Sequence, residues 1–232
     1  MAKSDDVAWQ IGAGILALIV LRSMLDTSSA EAQPPPARRP TPPGTIPSAY
    51  ARDYSTRWAA MIVRLDRMAA VDAVARRMAS REARYRAVTD PMGVPWWFLA
   101  AIHELEHSGR FTVSMTATDP IDVPPGQPIP NATILDSQWD DTARALLRSR
   151  GLTSWVDWSV PGVAYQWERF SGFGYRSHNV PTPYLWSYSN QYVTGKFIRA
   201  NVFSPTTVSQ QAGALVLLRR LIDLSVVPLV LL

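Results

Sequence analysis

His103-Glu104-Leu105-Glu106-His107 puts two imidazoles and two carboxyls within five residues. The order fits HExxH and its reversed form HxxEH, in which two histidines on one helix face ligate zinc and a Glu acts as base. A second chemistry needs no metal: a carboxylic acid kept protonated near neutral pH can protonate the oxygen that leaves a glycosidic bond. Burial against apolar side chains keeps a carboxyl in that form. Glu106 is one turn beyond Ile102 and close in sequence to Phe111, in a last helical turn whose partial negative charge disfavours carboxylate. A solvent-facing Glu106 fits the same wheel position equally well.

The metal reading meets two obstacles. With Trp97–His107 on a wheel of about 100° per residue, Phe98, Ala101, Ile102 and Leu105 form one apolar stripe. His103 and His107 share a face, as zinc needs, but it is the face turned away from the expected core. A zinc site also needs a third protein ligand. The chain has three histidines and no cysteine, so His178 and Glu168 are the fair candidates, and spacing recommends neither. With four candidate groups in five residues, two pattern matches arise cheaply. The two histidines are therefore expected to be surface or supporting groups, with no metal and no other cofactor.

Several elements must position these groups. Tyr54–Ala87 reads as helix, with Trp58, Ile62, Leu65, Met68, Ala69 and Val74 at three- and four-residue spacing. Asp90-Pro91-Met92-Gly93 is a stop and turn, Pro95 suits a first helical turn, and Trp96–His107 should be a helix ended by Ser108-Gly109. Residues 119–131, DPIDVPPGQPIPN, are too rich in proline for helix and read as a loop or short β-hairpin. Helices are expected over 139–150, 160–170 and 204–224, the last with Ser204 or Thr206 as N-cap. Residues 171–191 read as loop-rich. The segment PYLWSYSNQY holds Tyr184, Trp186, Asn190 and Tyr192, the densest group of aromatic and amide side chains. Sugar faces stack on Tyr and Trp and acetamido groups bond amides, so these four, with Tyr175 and Arg176, are candidates to line a glycan groove. Core packing is the competing role for each. Tyr192 is the expected hydrogen-bond partner that orients Glu106.

Ahead of this lie two extensions, so the chain divides into 1–30, 31–49 and 50–232. Val7–Leu21 carries no charge, and with Arg22 snorkelling the apolar stretch reaches Leu25, just short of the roughly 20 residues of a spanning helix. A weak membrane anchor, a cleaved signal peptide ending near Ala32 and a partner-buried helix are the three readings. Glu31–Ser48 has seven prolines and reads as an extended linker. Nine Trp, eight Tyr and a net charge of +4 suit an anionic polymer or surface. No basic run is interleaved with aromatics, so nucleic acid is not expected.

Two longer stretches carry a resemblance. RYRAVTDPMGVPWWFLAAIHELEHS (84–108) is similar to a phage and prophage lysozyme-like family of peptidoglycan hydrolases, in which tGVPWxxxAxIHxxE(S/A)S follows a Tyr-bearing helix. Residues 170–201 resemble the family's YNGxGYxxxGxxSPYLWSxTNxYxxGKYVxDG, with Phe170-Ser171 in place of Tyr-Asn. The resemblance covers about residues 54–224 and implies a mainly α, lysozyme-like domain that cleaves the glycan strands of peptidoglycan between N-acetylmuramic acid and N-acetylglucosamine. The family's catalytic Glu maps onto Glu106, with Glu104 as second choice. His107 stands where relatives have Ser or Ala, so the zinc-like pattern reduces to one substitution. Asp119 maps onto a second carboxylate in a stretch, Thr116–Ile121, that lacks the family's Gly. Hydrolysis and lytic transglycosylation stay open. So do two settings: an endolysin held in the bacterial envelope, periplasmic or tethered to the inner membrane through residues 7–25, and a virion-associated muralytic or inactive structural protein bound to phage structural proteins.

Overall fold

The computed structural model describes residues 45–117 and 133–228. The expected N-terminal helix, most of the proline-rich linker and the 119–131 loop lie outside them. The described part is mainly helical: α1 (Ser48–Ala59), α2 (Met68–Ser80), α3 (Glu82–Thr89), α4 (Trp96–His107), α5 (Trp139–Ser149), α6 (Val160–Ser171), α7 (Pro183–Trp186) and α8 (Ala214–Asp223), with one hairpin of β1 (Lys196–Arg199) and β2 (Val202–Ser204). Among the described residues no helix is long and apolar enough to cross a membrane.

α4 is the central element. Trp96 through Leu105 are all buried, which a helix tolerates only when neighbours cover every face. α2, α3 and α8 supply that cover. Its end is defined by backbone chemistry: Ser108 and Gly109 adopt φ of 53° and 68°, and the Gly109 N–H donates to the His103 carbonyl at 3.1 Å, closing the last turn. A Cβ on Gly109 would come within 2.6 Å of Arg81 Nη1 and Glu104 Oε1, so both the positive φ and the crowding call for glycine there.

Tyr54–Ala87 is not one helix. α1 stops at Ala59, residues 61–64 run extended, and a 3-10 turn over Leu65–Arg67 leads into α2. Long-range pairing overrides the helical period here. Val63 bridges to Ser189, the Arg64 N–H donates to the Tyr188 carbonyl at 3.0 Å, and the Asn190 N–H donates to the Ile62 carbonyl at 3.0 Å. Ile62 and Leu65, expected in the core, are 67% and 87% exposed.

The last helix starts at Ala214 rather than Ser204. Ser204 pairs with Lys196 in the hairpin, and its hydroxyl accepts from the Thr207 N–H at 3.3 Å, a local bond that competes with helix. Gly213 then lets α8 begin against α7, since a Cβ there would sit 2.3 Å from the Leu185 backbone. Val113 and Thr133 form an isolated antiparallel bridge.

Candidate active site

Glu104 and Glu106 leave α4 in different directions. Glu104 is buried, and Arg77 of α2 donates to both its oxygens, Nε at 2.9 Å and Nη2 at 2.5 Å. Arg81 approaches the same carboxyl at 3.9 Å and donates to the Gly109 carbonyl at 2.7 Å. The carboxylate is thus saturated with cations and holds the end of α4 to α2. It also borders a cavity of about 180 Å³ with Tyr188 and Gln211.

Glu106 is half-buried, and its Oε1 is closed to solvent. It faces Tyr184, at the start of α7, and Arg150, the residue after α5. Burial, then the negative charge and hydrogen-bonding of Glu106, hold the Tyr184 phenol well above its usual pKa, so it is a protonated donor. The hydroxyl–carboxyl approach is looser than a well-formed hydrogen bond. Burial lowers the Arg150 pKa, while the Glu106 charge acts in the opposite direction. The Arg150 guanidinium lies over the Phe170 ring, 4.5 Å from its centroid, and Phe170 stacks on Tyr184 with centroids 6.3 Å apart. Four elements distant in sequence therefore meet at one carboxyl: the last turn of α4 and the ends of α5, α6 and α7.

The remaining expected site residues are placed otherwise. Tyr192 does not orient Glu106: its hydroxyl donates to the Gly195 carbonyl at 3.1 Å and accepts from the Ser209 N–H at 3.1 Å, so it pins the chain around the hairpin. Tyr175 packs edge-on against Phe197 and accepts from the Phe197 N–H at 3.2 Å. With 2% of its surface exposed, it offers no open face to a sugar. Asn190 is exposed but committed to backbone, accepting from the Ile62 N–H at 2.9 Å and donating to the Ala60 carbonyl at 3.0 Å. Trp186 is buried and walls a separate cavity of about 330 Å³ that also contains Arg176. Glu106 lines neither cavity. Asp119 lies outside the described residues. Arg150 had no sequence signal, because nothing local marks a helix-terminal Arg as the neighbour of a Glu on another helix.

The histidines also depart from the wheel. His103 is fully buried, because α4 has no solvent face at that point. Its Nδ1 is 2.9 Å from the Tyr85 hydroxyl, and its ring lies 4.8 Å and 4.7 Å from those of Phe111 and Trp139. Burial lowers its pKa to about 3, and burial followed by the Arg110 charge lowers that of His107 to about 4. Both are neutral at pH 7. Among the described residues no group of three or more His, Asp or Glu is arranged to hold a metal.

Comparison of the chain with protein-family models, with curated proteins and with solved structures finds no match.

Proposed function

We propose that this domain is a lysozyme-like glycosidase that cuts the glycan strands of peptidoglycan, with Glu106 as general acid. One observation carries the reading: a carboxyl at the end of a buried helix, with one oxygen closed to solvent and a buried phenol facing it. The 84–108 and 170–201 motifs support it independently, because the motif position of the catalytic Glu coincides with that carboxyl.

In this mechanism Glu106 gives its proton to the bridging oxygen between N-acetylmuramic acid and N-acetylglucosamine as the bond to the anomeric carbon breaks, leaving positive charge on the ring. Tyr184 is a positioning residue: it faces the acid and is a donor to the carboxylate once the proton has gone. Arg150 stabilises that same carboxylate product. The ring carbon is then attacked by water or by the sugar's own hydroxyl. Asp119 is proposed as the base in the first case, which needs carboxyl groups about 6.5–9.5 Å apart. The second case gives an anhydro end. Residues 7–25 are proposed to hold the enzyme at the inner membrane, with attachment to virion proteins as the alternative.

The test is digestion of purified peptidoglycan followed by mass spectrometry of the fragments. Free reducing ends identify a hydrolase and anhydro ends a transglycosylase. Release of peptides without sugar fragments, abolished by a chelator, would reject the glycosidase and restore the zinc reading of 103–107.

A further inference from the structure

A second carboxylate, Glu168 on α6, is more deeply buried than Glu104, 2% exposed against 6%, and it borders the cavity of about 330 Å³. Tyr54 donates to it at 2.5 Å and Arg176 at 2.6 Å, and both bonds fall on Oε2. Among the described residues nothing donates to Oε1. With both donors on one oxygen, the second keeps acceptor capacity for a ligand. A purely structural ion pair accounts for Oε2 but leaves Oε1 and the cavity unexplained.

The rest of the lining carries matching charges. Asp53 and Arg57 come from α1, with Arg57 Nε on Asp53 Oδ1 at 2.7 Å, and Arg176 Nη1 is 3.6 Å from Asp53 Oδ2. The terminal nitrogens of Arg57 donate to nothing among the described residues. Two carboxylates and two guanidiniums make the cavity neutral overall, with an open acceptor at Glu168 and open donors at Arg57. A net cation or net anion would leave one charge of the lining uncompensated, whereas a ligand with a positive donor and a negative acceptor leaves none. The aromatic of the wall, Trp186, is 2% exposed, so there is no open ring face for a sugar to stack on. The volume is at the small end for ligand sites, roughly 300–1,000 Å³, which fits one amino-acid-sized group.

We propose that this cavity binds a small zwitterion of amino-acid type, its ammonium on Glu168 Oε1 and its carboxylate on Arg57. Such a group comes either as a free amino acid or as part of a peptidoglycan stem peptide. Only the second source rests on the proposed function.

The experiment is calorimetric titration of the full chain carrying Glu106→Gln, so that no glycan is cut during the measurement. The probes are free meso-diaminopimelate, a muropeptide containing it, and N-acetylglucosamine. Saturable binding of diaminopimelate in either form is expected with a Kd of about 1 mM or tighter. It should weaken at least about tenfold in Arg57→Gln, the loss of one charge-assisted contact. That variant removes one part-buried i,i+4 pair from the fold, so its thermal midpoint should change little. Tighter binding of the muropeptide assigns the wall as source, and equal or tighter binding of the free amino acid assigns the small molecule. Absence of saturation by both forms, affinity unaffected by Arg57→Gln, or binding of N-acetylglucosamine instead overturns the proposal. Binding that persists while peptidoglycan assays stay negative removes the glycosidase reading and leaves this one standing.

Discussion

Glu104 and Glu106 are the same residue type two positions apart on one helix, and they have opposite surroundings. Glu104 meets two guanidiniums, Arg77 of α2 and Arg81 between α2 and α3, and a glycine carbonyl held by the second. Every feature around it ties the carboxylate to its cations and fixes the backbone at the end of α4. Glu106 meets a buried phenol and a half-buried guanidinium packed on an aromatic ring. Its surroundings pair one cation with burial and a phenol, where those of Glu104 pair a bidentate guanidinium with a second cation. Two residues of helix turn a side chain by about 200°, enough to send one carboxyl to α2 and the other to the junction of α5, α6 and α7. The function of an acidic residue here is set by what its direction meets.

The largest effect expected is on turnover. Glu106→Gln removes the proton and keeps the shape, so cleavage should fall by about 10³-fold or more, within the range for a lost general acid, while the thermal midpoint stays near wild type. Glu104→Gln should do the reverse. It leaves Arg77 and Arg81 facing a neutral amide and should cost about 3 kcal/mol in urea unfolding, at the low end for a broken buried pair because Arg77 is partly exposed. Activity per folded molecule should change little.

A third group on the helix separates stability from chemistry by pH. His103 has a folded pKa of about 3, below its unfolded value of about 6.5, so the unfolded chain binds the extra proton between those values. Its contribution is therefore fully present above pH 6.5 and is lost as pH falls toward 3. By pH 4.5 that loss should reach roughly 2–3 kcal/mol, read as a falling urea midpoint, and His103→Phe should flatten the slope. Tyr184→Phe keeps the ring stack on Phe170 and removes the hydroxyl, and a drop of about 10-fold in kcat with little change in KM is expected for one donor lost from the acid. The smallest effect is a shift in pH profile. Arg150→Gln removes a cation that favours carboxylate, so the basic limb of the activity profile should move to higher pH.

How much of this was legible before the structure varies by element. α4, α5 and α6 begin at Trp96, Trp139 and Val160 as the sequence predicts, because prolines, glycines and helical periodicity act locally. The failures are at 61–64 and 204–213, where pairing with Ser189 and with Lys196 decides the backbone and the information lies more than a hundred residues away or across a hairpin. In the sequence the motif match singles out Glu106, and Tyr184 enters as a groove candidate, but nothing local signals that Tyr184 and Arg150 face that carboxyl. Tyr184 and Tyr192 lie in one aromatic segment, and the short α7 turn decides that Tyr184 points at the carboxyl while Tyr192 holds the hairpin loop. His103 was misplaced because an amphipathic wheel assumes a solvent face, and α4 is covered on all sides through Leu105.

The most direct test puts the two carboxylates side by side: release of soluble sugar fragments from purified peptidoglycan by wild type, Glu104→Gln and Glu106→Gln at equal concentrations of folded protein. The account predicts clear release by wild type and by Glu104→Gln and none above background for Glu106→Gln. Undiminished release by Glu106→Gln, or none from wild type, would contradict it.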